Sequence, residues 1–243
     1  MAFSLDSVRD SVIGSIRLSP KRVLDIGSGD GKLLYAIREK YPDVSLSGCD
    51  YTDQFLKTDA VDLEIVDLNK GSLPYADDTY DLITITEVIE HLENYHSILR
   101  EASRILRKGG QIIITTPNIL NLKSRIGYFK SGFWNLFGPL PLDRKCLEST
   151  AGHITPVHYF HLAYSLSHAD FENIILGNDK IQRTSLFTYI LLYPMIKFWN
   201  WQFIKKETGK YRTINSHNLP ISKEINGFQA LTARSILVTA FKK

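Results

Sequence analysis

The stretch that most limits the fold is Val23-Leu24-Asp25-Ile26-Gly27-Ser28-Gly29-Asp30-Gly31, an apolar strand that runs into three alternate glycines and then a helix. Glycine lets a backbone turn tightly and approach a ligand closely, and free N–H groups at a helix start attract an anion. A site for a dinucleotide spaces its glycines G-x-G-x-x-G to admit a pyrophosphate, and here the third glycine comes one residue early. The ligand expected is therefore smaller than a dinucleotide.

From Arg22 onward short apolar runs alternate with helix-like stretches, the pattern of a mostly parallel sheet covered by helices. The spacing predicts strands at Arg22–Ile26, Val44–Cys49, Leu63–Val66, Tyr80–Thr86 and Gln111–Thr115, with helices at Gly31–Lys40 and Tyr95–Leu106. Lys108-Gly109-Gly110 reads as a cationic helix end with a glycine stop before the β-branched run Ile112-Ile113-Ile114. Past Pro117 the period fails, and glycines and prolines punctuate an aromatic-rich insertion; such segments usually cover a site. A helix near Tyr159–Ala169, a strand near Phe171–Leu176 and a last strand at Ser235–Phe241 follow. With 243 residues, 44% of them hydrophobic, the chain is expected to be one domain. Within 1–243, a ligand-binding core would occupy 22–117 and variable lid segments 118–160 and 178–233.

Three acids sit within, at the end of, or just after strands. Asp25 lies inside the first, Asp50 ends the second in Gly48-Cys49-Asp50, where a carboxylate can accept from both hydroxyls of a ribose, and Asp67 follows the third, where it can take an adenine amino proton. Leu24–Gly31, Asp50, Asp67-Leu68, Tyr80-Asp81-Leu82-Ile83 and Leu106–Gly110 match, in order, the motifs of class I S-adenosylmethionine-dependent methyltransferases. The resemblance covers Arg22 to Pro117. It implies an α/β, Rossmann-like three-layer sandwich: a seven-stranded, mostly parallel sheet with an antiparallel last strand and S-adenosylmethionine above the carboxyl ends of the first strands, S-adenosylhomocysteine being the product. The binding residues it implies are Asp25 for the methionine ammonium, Gly27, Ser28, Gly29 and Gly31 in the turn, Asp50 and Tyr51 for the ribose, Asp67 and Leu68 (with Glu64 nearby) for adenine, and Glu87. A short helix over Tyr51–Thr58 departs from the pattern.

Thr86-Glu87-Val88-Ile89-Glu90-His91 follows the fourth strand, and in a helix Glu87, Glu90 and His91 would share one face at i, i+3 and i+4. His91 could act as a base on a hydroxyl, the three could ligate a divalent cation, or the segment could be an ordinary helix start. We expect His91 as the catalytic base assisted by Glu87 and Glu90, with no resident metal. The Glu-x-x-Glu-His pattern resembles ubiquinone-pathway O-methyltransferases and small-RNA 2′-O-methyltransferases. Gly152-His153-Ile154-Thr155-Pro156 resembles a segment of methyltransferases of cell-surface polysaccharide pathways. The expected reaction is O-methylation of a sugar, lipid-linked glycan or quinol-like acceptor, with Asn118 and His153 as acceptor-side residues. The alternatives are a metal-using RNA 2′-O-methyltransferase and a non-catalytic cofactor-binding subunit.

A net charge of +3 does not suggest a dedicated nucleic-acid binder. Cys49 and Cys146, distant and outside any C-x-x-C pattern, support neither a disulfide framework nor a thiolate metal site, and residues 1–18 read as a surface helix, not a signal peptide. A cytoplasmic protein is expected, free or peripheral at the inner membrane face. The peripheral option comes from Leu186–Ile204, an aromatic-rich run interrupted by Pro194 and Lys197 and followed by Lys205-Lys206, which suits a bilayer interface, a helical hairpin packed on the domain, or a subunit contact.

Overall fold

The strands and helices follow from two alternations visible in burial. In the computed structural model, which describes residues 6–54, 61–142 and 152–243, seven strands form one sheet: β1 (Arg22–Ile26), β2 (Ser45–Asp50), β3 (Asp62–Ile65), β4 (Tyr80–Thr86), β5 (Leu106–Pro117), β6 (Phe171–Asn178) and β7 (Ser235–Lys242). Their order is β3-β2-β1-β4-β5-β7-β6, with β1 to β5 parallel and β7 antiparallel to both of its neighbours. The order reverses between β1 and β4, which opens a crevice at the carboxyl ends of those strands.

Residues of each central strand alternate between two faces. Leu24, Ile26, Ile83, Ile85, Ile112 and Ile114 lie in one buried cluster with α3 (Tyr95–Ile105) and α5 (Tyr159–His168). Val23, Leu82, Ile113 and Leu237 lie in another with α1 (Asp6–Gly14) and α2 (Lys32–Lys40). The helices match: α3 buries Tyr95, Ile98, Leu99, Ala102 and Ile105, one face at helical spacing. The result is three layers, helices on both sides of the sheet, and the crevice is the concave edge they leave.

Two local expectations are corrected. The third helix ends at Ile105, before Lys108, and the chain passes straight into β5. Gly109, at φ 73°, serves a bulge: the β4–β5 register jumps from Tyr80–Leu106 to Leu82–Gln111, and Arg107 in the extra loop pairs with Asp81. The helix expected over Tyr51–Thr58 is absent from residues 51–54, and its remainder lies outside the described residues, as does Cys146. The variable segments contain α4 (Leu122–Ser131), then α6 (Arg183–Lys206), α7 (Leu219–Glu224) and α8 (Phe228–Thr232), and the aromatic run is one continuous 24-residue helix containing Pro194, not a hairpin.

Asn118 does not face an acceptor, as its place after β5 suggested. Its side chain is buried, Nδ2 donating to the carbonyls of Ala230 and Ala233 (2.8 and 3.0 Å) and Oδ1 accepting from the Leu120 amide (2.9 Å). The two bonds to Ala230 and Ala233 stitch the exit of β5 to the end of α8, and the one from Leu120 closes the local turn. Asn118→Ala leaves the Ala230 carbonyl and the Leu120 amide without this partner, while the Ala233 carbonyl keeps its bond from Asn121 (3.1 Å), so urea denaturation should register a loss of about 2–4 kcal/mol. A change within error would mean that water replaces the amide.

Candidate active site

Gly27, at φ 77°, makes the tight turn that ends β1, and a Cβ there would stand 2.3 Å from Val88 Cγ2. Only glycine admits both the left-handed backbone and that contact, which presses the turn after β1 against the segment after β4. Gly29, also left-handed, has nothing within 4 Å of a Cβ position, so that side of the turn is open. The turn's amides differ from expectation. Those of Gly27 and Ser28 donate to the Cys49 carbonyl (2.7 and 3.2 Å), that of Gly29 to Asp50 Oδ2 (2.8 Å) and that of Gly31 to the Ser28 carbonyl (2.9 Å). Three of them brace the turn against β2, the fourth closes the turn on itself, and none of the four stands free for an anion.

Asp50 is nearly buried and takes the Tyr51 amide on its other oxygen (2.7 Å), while the Tyr51 side chain is exposed. Asp25 is buried opposite Thr84, whose hydroxyl donates to Oδ1 at 2.7 Å. Burial pushes the Asp25 carboxyl up to about 7 against the opposing Thr84 bond, and the charge of Asp50 adds to the rise. Ser28 Oγ is buried and has no protein partner. Asp67 is exposed and caps the turn Leu68–Lys70 by accepting from the Asn69 amide (3.1 Å), and Leu68 is buried beneath it. Glu64 is exposed on β3.

Across the crevice, Glu87, Glu90 and His91 do not share a helix face. Glu87 is left-handed (φ 54°), held by its amide's bond to the Thr115 carbonyl (3.1 Å), and only Ile89–His91 make a single 3-10 turn. Such a backbone costs a side-chain-bearing residue about 1–2 kcal/mol. It separates the carboxylates: that of Glu87 sits near Thr115, Arg234 and Ser235, and burial pushes it up to about 7. Glu90 is fully buried; its Oε2 accepts from Thr116 Oγ1 (2.9 Å), and its Oε1 has no partner. Burial first, and then the Glu87 charge, hold Glu90 well above the usual carboxylate range.

The Glu90 carbonyl accepts from the amides of Ile154 and Thr155 (3.0 and 2.9 Å), and Thr155 Oγ1 donates to the Leu92 carbonyl (2.6 Å). This docks the Gly152–Thr155 segment and brings His153 to His91, ring centroids 4.8 Å apart. His91 Nδ1 lies 3.1 Å from the Gly152 carbonyl and His153 Nδ1 2.9 Å from that of Leu136. Burial, with His153 nearby, lowers the His91 pKa, so its imidazole is neutral at neutral pH. One candidate ligand atom from each of Glu90, His91 and His153 lies within 4.8 Å of the other two, so this group could hold a cation. The sequence spacing brought in Glu87 and left out Thr84, Thr116 and the Gly27–Val88 contact; a strand alternation marks the threonines as inward, but no sequence signal pairs them with particular acids.

Residues 11–175 match a family model described as a methyltransferase domain. The chain belongs to that family. The match spans more than half the chain and includes both sides of the crevice. A ubiquinone/menaquinone biosynthesis C-methyltransferase of Desulfotalea psychrophila is 28% identical over 110 residues, 42% of this chain and 44% of the relative. A demethylmenaquinone methyltransferase of Thermus thermophilus is 28% identical over 113 residues, 44% of this chain and 51% of the relative, so the chain spans about half the length of these curated relatives. A structure of an S-adenosylmethionine-dependent methyltransferase from Archaeoglobus fulgidus superposes with TM-score 0.59 at 16% identity, covering 96% and 94% of the two chains, and shares the fold. The methyltransferase domain takes S-adenosylmethionine, and the crevice fits it: an open side at Gly29, a buried acid at the end of β2 and an unpartnered Ser28 hydroxyl.

The Asp25 carboxyl generates a pH prediction. Its folded pKa lies above the unfolded value of 3.8, so its contribution is full below about 4 and is lost as pH rises through about 7. Relative to wild type, Asp25→Asn should therefore gain stability between pH 4 and 8. Parallel urea curves for the two proteins across that window, with a constant offset, would show that Asp25 ionises as freely folded as unfolded.

Proposed function

We propose that this methyltransferase domain methylates a hydroxyl oxygen on the polar head of a lipid-linked acceptor, a glycan or a quinol-like ring. S-adenosylmethionine bound in the crevice supplies an electrophilic methyl on a sulfonium. The chain's own part is to hold that donor with the turn after β1 and Asp50, to align an oxygen in line with the methyl, and to ease removal of the hydroxyl proton. The observation that carries the reading is the neutral His91 imidazole beside Glu90 and His153, a short run of chain after Val88, which touches the glycine turn. A neutral imidazole can aid proton loss near pH 7.

The lipid part of the reading rests on α6. Phe187, Ile190, Leu191, Met195 and Phe198 recur at helical spacing and are all more than half exposed, while Tyr189 packs on Phe228 and Asn200 bonds Asn226 on the inward side. Lys205 lies over the Trp201 ring, and Lys206 and Lys210 over Tyr211. An apolar stripe ending in aromatics and lysines suits the surface of an anionic bilayer. Among the described residues no helix is long and apolar enough to cross a membrane. The relatives named for quinone biosynthesis, one of them a C-methyltransferase, support a quinol-like ring as the acceptor and leave the oxygen to the argument from His91.

A labelled-methyl screen against glycan-lipid, quinol and RNA pools tests the acceptor. With that acceptor, His91→Ala should lower kcat by about 10²–10⁴ while leaving S-adenosylmethionine affinity unchanged by calorimetry. Normal turnover in the folded variant would remove His91 from the reaction. On vesicles containing phosphatidylglycerol the protein should co-sediment, less so as salt rises, and Leu191→Asp with Phe198→Asp should abolish this. Equal sedimentation of wild type and double variant would return α6 to a protein contact.

A further inference from the structure

We propose that the cavity between α4 and α6 binds the phosphate of an anionic phospholipid, at a site separate from the crevice. The inference deepens the membrane part of the proposed function and rests on it for the lipid; the preference for an anion follows from the cavity alone. Two helix faces make its walls. On α4, Lys123, Ile126, Gly127 and Lys130 stand at i, i+3, i+4 and i+7, and on α6, Thr184 and Thr188 stand at i and i+4. The helices are tied where the Lys123 amide donates to Ser185 Oγ (3.2 Å). The third wall is the turn after α4, where Trp134 stacks on Tyr128 (ring centroids 4.5 Å apart) and the Asn135 amide donates to Ser124 Oγ (2.9 Å). The enclosed volume is about 480 Å³, within the range of roughly 300–1,000 Å³ found for small-molecule sites.

Charge selects the ligand. No carboxylate lines the cavity, and among the described residues neither Lys123 nor Lys130 has an acidic partner. Thr188 and Ser131 spend their hydroxyls on the Thr184 and Gly127 carbonyls (2.8 and 2.9 Å). The donors left over are two ammonium groups, the Thr184 hydroxyl and the Asn135 side-chain amide. They suit an anion with several acceptor oxygens, and a phosphate is one.

The rim selects the source. The row Thr184, Thr188 continues at helical spacing into Leu191 and Met195, which belong to the exposed apolar stripe of α6. On α4, Phe129 beside Lys130 is 90% exposed, and Phe133 on the cavity wall is exposed as well. Free phosphate has nothing to set against such a rim. A phospholipid sets its phosphate among the lysines and its acyl chains against the aromatic and aliphatic side chains around them. Leu136, next to Asn135, holds His153 through its carbonyl (2.9 Å), so one turn of chain borders both cavity and crevice. A lipid seated in the cavity therefore keeps the crevice mouth at the bilayer surface.

The test uses the full chain with dihexanoylphosphatidylglycerol below its micelle concentration and, in a parallel arm, inorganic phosphate. Calorimetry should give one lipid per chain, bound at least tenfold more tightly than inorganic phosphate. Lys123→Gln and Lys130→Gln should each weaken lipid binding about fivefold, the factor one basic residue contributes near an anionic surface. Lys108→Gln, at the opposite end of β5, should change nothing. Gly127→Leu keeps the charge, and a Cβ there meets only the Phe133 carbonyl, at an ordinary 3.5 Å; its side chain should fill the cavity and abolish binding. Absence of lipid binding, or binding that all three cavity variants retain, overturns the site. Inorganic phosphate bound as tightly as the lipid overturns the lipid as occupant. Lipid bound in solution by a protein that never sediments with vesicles keeps the cavity site and sinks the membrane reading of α6. Sedimentation by a protein that binds no lipid in solution does the reverse.

Discussion

The contact between Gly27 and Val88 governs the geometry of the crevice. It joins the turn after β1, which belongs to the cofactor side, to the segment after β4, which carries Glu87, Glu90 and His91. A methyl group added at position 27 would force these two apart or strain both. In-line transfer tolerates little displacement, since misplacing reacting groups by an ångström costs orders of magnitude in rate. The glycine thus matters less for an anion than for the spacing between two halves of a site, and the turn's amides, spent on Cys49, Ser28 and Asp50, make that spacing rigid.

The inner strands of the parallel half, β1, β2, β4 and β5, were legible because they are buried on both faces and read as apolar runs with β-branched residues, Ile112-Ile113-Ile114 above all, whereas β3 at the edge is exposed. The acids at strand ends were legible for a related reason: a charged residue that closes an apolar run sits at the sheet's edge. What escaped was set by backbone and partner choice. Lys108-Gly109-Gly110 has the composition of a helix stop, yet its left-handed glycine lies in a bulge, where Arg107 pairs with Asp81 on the adjacent strand. Pro117-Asn118 reads as a turn that presents a polar side chain, and whether that side chain looks outward or inward depended on the carbonyls of Ala230 and Ala233, remote in sequence.

The acidic cluster shows the same limit from the other side. A helical period puts Glu87, Glu90 and His91 together; a left-handed Glu87 rotates its carboxylate toward Ser235 and leaves Glu90 and His91 with His153. No local propensity favours that conformation in glutamate. It persists because the Glu87 amide is tied to the Thr115 carbonyl, while the bond from Thr116 to the Glu90 carboxyl anchors the next turn of chain on the same strand.

The segment carrying His153 is held by main-chain donors, the amides of Ile154 and Thr155 on the Glu90 carbonyl. A backbone handshake is indifferent to side-chain identity, so Ile154 and Pro156 can change and the segment still dock in register, provided that the Thr155 hydroxyl keeps its bond to the Leu92 carbonyl. Ile154 and Pro156 are exposed, and Tyr128 and Trp134 in the preceding aromatic stretch stack on one another along α4. Such an arrangement separates two kinds of change. The reactive corner stays in place while the surface that meets the acceptor drifts, so one scaffold can acquire new acceptors through substitutions that leave its chemistry where it was.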